Sequence, residues 1–127
     1  MRRERVNSSE GPAPAGPYSH AIRDDNYVFV TSQLGIDPGT GTLVDGGTAA
    51  QARQAMENLS TIIRAAGSSV DKVVKTTVFL VDMGDYSAVD GIYAEFFSDA
   101  RPARSTIQVG GLPLGALVGI DAVAMAS

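Results

Sequence analysis

The chain has 127 residues, of which 44% are apolar and 19% charged, enough for one domain with a hydrophobic core of its own. It contains no cysteine and a single histidine, His20, which excludes disulfides, thiolate chemistry and any metal cluster not built from carboxylates. A formal net charge of −4 argues against a surface that coats nucleic acid, and no apolar run reaches membrane-spanning length.

In chain order, MRRERVNSSEGP (1–12) has basic residues with no apolar run behind them. It is expected to be neither a signal peptide nor a membrane anchor, and the protein is expected to be cytoplasmic. Residues 1–12 read as a flexible arm ahead of a single domain spanning 13–127, with GPAPAGP (11–17) as the stiff turn between them. YVFVT (27–31) is β-branched and aromatic and predicts a strand. DPGTGT (37–42) is a turn cluster, expected to close a hairpin or a wide loop.

From Thr48 the period changes. Ala52, Ala55, Leu59, Ile62, Ile63 and Ala66 recur at three- and four-residue spacing and predict an amphipathic helix. Thr48 and Gln51 fit a capping box at its start, and Gly67 fits its stop. KVVKTTVFLV (72–81) predicts a long strand. A second helix over 85–97 carries an apolar stripe of Val89, Ile92, Tyr93, Phe96 and Phe97, with Asp85 expected to support its start. Two strands near 104–109 and 117–125 complete a sheet packed in two layers against two helices. In LVGIDAVAMA (117–126) both faces are apolar or small. Helices on one side can cover only one of them, so a second subunit is expected to cover the other, the competing reading being that small residues there simply tolerate solvent.

The chemistry-bearing residues are few. Arg104, two residues after Pro102 at the mouth of a predicted strand, presents a planar, permanently charged fork suited to a carboxylate. An ordinary ion-paired arginine is the competing reading, and it applies equally to Arg101 and Arg23. Tyr18 is aimed by the preceding AGP turn, either as a pocket wall or as a plug at the domain entrance. GGLPLG and GTGTLVDGG lack the lysine of a phosphate loop, and their glycines read as turn residues.

Six stretches, in order and suitably spaced, resemble the YjgF/RidA (reactive intermediate deaminase) family: GPYSHA (16–21), FVTSQLGIDPGTG (29–41), QARQAMENLSTIIRAAG (51–67), VVKTTVFLVDMGDYSAVDGIYAEFF (73–97), RPARS (101–105) and LPLGALVGIDAVA (112–124). The resemblance implies a chorismate-mutase-like α/β (α+β) fold: a mixed sheet on two helices, forming a homotrimer with a central barrel and pockets at the subunit interfaces. It also implies cofactor-free hydrolysis of a small 2-imino acid or its enamine tautomer to a 2-keto acid and ammonia, with no metal, nucleic-acid or membrane partner.

By the same resemblance Arg104 clamps the substrate carboxylate and Tyr18 walls the pocket. Ser32 stands at the family's pocket glycine, Thr106 where many members have cysteine, Asp90 where asparagine is common, and Arg101 where an aromatic residue commonly precedes PAR. The family's E-I-E-A near the end is here G-I-D-A. Gly119 therefore replaces the glutamate assigned to water, and Asp121, two residues on, is the nearest carboxylate left in the strand. Three readings follow: an imine deaminase, in which either Asp121 takes over the glutamate's role or Gly119 makes room for a bulkier substrate; a non-catalytic or altered-substrate binder of small carboxylates; and a ribonuclease or translation inhibitor, which the acidic charge disfavours.

Overall fold

The computed structural model describes residues 3–14 and 16–127; Met1, Arg2 and Ala15, which belong to the arm and turn read from sequence, lie outside the described residues. The expected two-layer mixed sheet on two helices is what forms. Six strands are ordered β1-β2-β3-β6-β4-β5: β1 (Glu4–Val6), β2 (Ala21–Arg23), β3 (Tyr27–Leu34), β4 (Val73–Leu80), β5 (Ala103–Gln108) and β6 (Val118–Met125). All neighbours are antiparallel except β4 and β5, which run parallel through the crossover helix α2 (Tyr86–Phe96). The longer helix, α1 (Gly47–Ala65), follows β3.

The N-terminal stretch read as loose contributes β1, whose Val6 is buried. Neither β1 nor β2 is long enough to show period-two alternation, so their pairing is a tertiary outcome.

The α1 stripe is buried as expected, with Ala52, Ala55, Met56, Leu59, Ile62 and Ile63 fully inaccessible. Gly67 ends the helix at φ +82°, with its N–H on the Arg64 carbonyl and the Ser68 N–H on the Ile63 carbonyl, the paired bonds of a Schellman stop. The start differs from the expected capping box. Gly46 is the N-cap, in a left-handed conformation and without a side-chain cap. Thr48 instead donates to Asp85 Oδ2 at 2.8 Å, and Gln51 Oε1 accepts from the Leu117 N–H at 2.9 Å. Asp85 consequently makes no side-chain cap for α2. These side chains bind neighbouring elements because buried backbone groups and facing chains outbid a local cap that water could replace.

The core lies between the helices and one sheet face. Val28 and Val30 from β3, Val78 and Leu80 from β4, and Val118, Ile120, Ala122 and Ala124 from β6 are buried there. The end of β3 is held onto α1 by Asn58, which donates to the Leu34 carbonyl at 3.1 Å and the Ile36 carbonyl at 2.9 Å. Between them sits Gly35, where a Cβ would come within 2.5 Å of the Gln51 Cα. Backbone cannot move aside as a side-chain tip can, so Gly35→Ala is expected to destabilise the fold by more than about 2 kcal/mol. Gly91, inside α2 with nothing within 4 Å of its Cβ position, gives the opposite sign: Gly91→Ala should stabilise by up to about 1 kcal/mol. Urea denaturation of both variants measures the pair.

Candidate functional site

Arg104 lies on β5 at the edge of the sheet, and register settles which way it points. Thr76 on β4 pairs with Arg104 on one side and with Ala122 on the other. Thr76 is fully buried, with its hydroxyl 2.8 Å from that of Tyr93 on α2. Arg104 therefore shares the helical face of the sheet. There its guanidinium lies 4.5 Å from the Tyr93 ring centroid and 5.2 Å from that of Tyr86, within cation–π range of both. Its Nε donates to Thr106 Oγ1 at 3.0 Å and its Nη1 to Asp90 Oδ1 at 2.6 Å. Nη2 is buried without a hydrogen-bond partner among the described residues. The side chain is 14% exposed and that of Asp90 52%. Burial pushes the Tyr93 phenol above its ordinary value, against the opposing pull of the Thr76 hydrogen bond and the Arg104 charge. The ring thus stays neutral beside the cation.

Tyr86, Asp90 and Tyr93 stand at i, i+4 and i+7, one face of α2. Sequence reasoning placed Tyr93 in the apolar stripe and did not single out Tyr86. That spacing, next to an arginine needing partners, was the signal available.

Gly119 and Asp121 behave differently. Thr77 pairs with Asp121 and Phe79 with Gly119, so both lie on the face of the sheet turned away from the helices. Asp121 Oδ1 accepts from the Thr77 backbone N–H at 3.0 Å, which ties one carboxylate oxygen into the sheet. A Cβ at Gly119 would lie 2.8 Å from Ser32 Oγ and 3.2 Å from Leu34 Cδ2. Ser32 Oγ is itself buried without a hydrogen-bond partner among the described residues. The serine thus occupies the space that a side chain at 119 would need.

Ser32 and Tyr18 line a cavity of about 240 Å³ together with His20, Leu34, Leu112 and Leu114. The β3 bulge between Val30 and Gln33 turns Ser32 toward it. Leu114, at the rim, is 62% exposed and left-handed at φ 61°, a strained conformation for a leucine. His20 is structural: it is buried, Nδ1 accepts from the Ser8 N–H at 3.0 Å, and Nε2 contacts the Pro12 carbonyl. It fastens the segment that walls the cavity.

The single chain therefore brings the candidate residues together in two groups. Arg104, Thr106 and Asp90 form one against α2. Tyr18 and Ser32 form the other, with Gly119 adjoining Ser32 and Asp121 farther along the same face of β6. Arg23 belongs to neither, since its Nη1 donates to the Ala66 carbonyl at the end of α1, and Arg101 caps the nearby Ser98 carbonyl at 3.3 Å. Among the described residues no three His, Asp or Glu side chains converge as metal ligands, and no helix is long and apolar enough to cross a membrane.

This arrangement can be set beside known proteins. The family model described as Endoribonuclease L-PSP matches residues 8–126. The chain belongs to the YjgF/RidA family. It is 43% identical to the mouse 2-iminobutanoate/2-iminopropanoate deaminase, over 97% of this chain and 91% of that one, and 42% identical to the human protein of that name, over 97% and 90%. Among solved structures, the YjgF gene product of E. coli superposes with a TM-score of 0.91 at 35% identity, covering 96% of this chain and 98% of that one. E. coli TdcF with bound serine superposes at 0.92 and 32% identity, covering 98% and 99%. The relatives' names support a deaminase role for this YjgF/RidA chain.

The contact between Ser32 and Gly119 makes the two positions interdependent. Gly119→Ala is expected to destabilise the wild-type background and to be tolerated in a Ser32→Gly background. A double-mutant cycle should return a coupling of about 0.5–3 kcal/mol. Denaturant titration of the four proteins measures it, and additive effects would show that Ser32 swings away without cost.

Proposed function

We propose that the protein hydrolyses a small 2-imino acid to the 2-keto acid and ammonia. The observation that carries this reading is the Arg104 guanidinium, desolvated between Tyr86 and Tyr93 and held at Nε by Thr106. A fixed cationic fork in a low-dielectric setting binds a planar carboxylate more strongly than a solvated one. The imino acid names of the relatives and the serine bound to TdcF agree with a small carboxylate-bearing ligand.

The reaction asks little of the protein. The iminium carbon is already electrophilic; water adds to it, and the tetrahedral carbinolamine loses ammonia to leave the keto acid. Holding the carboxylate and placing water supply proximity and orientation, and a positioned proton acceptor supplies the rest. The Ser32 hydroxyl, the free oxygen of Asp121 and backbone carbonyls beside Arg104 are the polar groups offered for that water.

Arg104 and the cavity of Tyr18 and Ser32 stand on opposite sides of one sheet, so a complete pocket needs a second copy of the chain. The helix-free face supports such an assembly: Tyr27, Phe29, Ile107 and Met125 are each more than 40% exposed there, alongside Phe79 and Val123. A homotrimer with pockets at its interfaces is the arrangement we infer. Val123→Lys, which would bury a charge in that contact, should dissociate or unfold it. Sedimentation velocity reads the outcome, and a stable wild-type monomer at micromolar concentration would remove the shared pocket.

A binding-only reading is favoured by one observation: Gly119 offers no side chain, and one Asp121 oxygen is committed to Thr77. The nuclease named in the family model's description draws no support from a chain of charge −4. Ammonia release from 2-iminopropionate and 2-iminobutyrate generated in situ separates the first two. Turnover above background is expected for the wild type and loss of it in Arg104→Ala; keto-acid binding with background turnover would establish the binder. Arg104→Ala should weaken pyruvate binding by about 30- to 1000-fold, and Arg104→Lys should recover part of that, since a point charge does not match the fork. The double variant Ser32→Gly/Gly119→Glu, which clears the Oγ from the path of the new side chain, should raise turnover at least about tenfold, a tenth of the lower end of the roughly 10²–10⁴-fold that general acid–base assistance supplies. Gly119→Glu alone should gain less.

A further inference from the structure

We propose that Asp90 makes the Arg104 site select zwitterionic ligands over simple anions: it occupies Arg104 Nη1 until a ligand carboxylate displaces it, and it then faces the ligand's cationic nitrogen. The proposal rests on the reading of Arg104 as the carboxylate clamp.

Three observations carry it. First, of the guanidinium nitrogens, Nε is bound to Thr106 and Nη2 is buried. Nη1, the remaining one, is taken by Asp90 at 2.6 Å. Nη1 has two hydrogens and Asp90 holds one of them, so a carboxylate arriving at this nitrogen meets a like charge beside it until Asp90 moves away. Second, Arg104 does not need Asp90 to hold its pose, because Thr106 and the rings of Tyr86 and Tyr93 fix the plane. Third, Asp90 is half exposed and makes no other side-chain hydrogen bond among the described residues. Rotation about χ1 moves its carboxylate into solvent, where water replaces the lost bond, and the arriving ligand carboxylate replaces it on the largely buried Arg104.

Once displaced, Asp90 stays on the same turn of α2, a few ångströms from the clamp. A 2-keto acid then brings a lone negative charge beside it and is repelled. A protonated 2-imino acid brings a carboxylate for Arg104 and an N–H cation for Asp90. The residue thereby favours the substrate and disfavours the product that replaces it, which lost its cationic nitrogen as ammonia.

The test is calorimetric titration of wild type, Asp90→Asn and Asp90→Ser with pyruvate, an anion, and with L-serine, a zwitterion carrying the same carboxylate. Removing the charge should tighten pyruvate by about tenfold, as expected for relief of a like charge near the surface, and should leave L-serine unchanged or weaker. Product inhibition by pyruvate should strengthen in parallel. Weaker or unchanged pyruvate binding in both variants would make Asp90 a support for Arg104 and overturn the proposal, as would equal tightening of both ligands. The Arg104→Ala arm keeps the failures apart: pyruvate affinity unmoved there removes the clamp itself, whatever the Asp90 variants do.

Discussion

The alternation of β4 governs everything else in this structure. Thr76 and Val78 point to the helices, and Thr77 and Phe79 point away. Because β4 pairs with β5 on one side and β6 on the other, it sends Arg104 to the helical face and Gly119 and Asp121 to the opposite one. A shift of one residue in the β4–β6 pairing would turn the core side chains of β6 outward, so the burial of Val78, Ile120 and Ala122 pins that register. β5 has no buried residue, and its Arg104 packs against Tyr86 and Tyr93 of α2. The separation of the arginine from the β6 positions follows from the core on the β6 side and from the parallel β4 pairing and the α2 contacts on the β5 side.

The surroundings of Arg104 show how a cation is kept in a desolvated place. Two aromatic faces, a threonine oxygen and a carboxylate share its charge. Each partner sits on an element that the core already holds: Thr106 on β5, and Tyr86, Asp90 and Tyr93 along one face of α2. Tyr93 is fixed in turn by Thr76, which links the clamp to the middle of the sheet. At the other group, the paired presence of Ser32 and Gly119 is a packing solution. One residue has a hydroxyl where the other lacks a side chain, and a polar group reaches the cavity from β3 with none from β6.

Much of this was legible in the residues. The 3.6-residue period of α1, the stop at Gly67 and the apolar stripe of α2 predict both helices, and runs of β-branched residues predict β3, β4 and β6. The family was legible in motifs spread over nearly the whole chain, and Arg104 was the clearest candidate residue because its context repeats the PARS step. Less legible were the short strands β1 and β2, which have too few residues for a period. The helix caps also escaped, since Thr48, Gln51 and Asp85 bind across elements.

By itself the sequence determined the local periods, the family and the identity of the charged and small residues at the site positions: arginine at 104, aspartate at 90, serine at 32, glycine at 119. These are properties of single residues and their near neighbours, and spacing along the chain carries them. Only the tertiary structure decided which of those residues meet. It put Asp90 on the arginine and closed Tyr86 and Tyr93 around it. It set Ser32 into the space beside Gly119, tied an oxygen of Asp121 to the Thr77 backbone, and left Arg104 and Asp121 on opposite faces. The physical reason is that strand register and helix packing are settled by burial of the whole core, and a side chain's partners follow from that global choice.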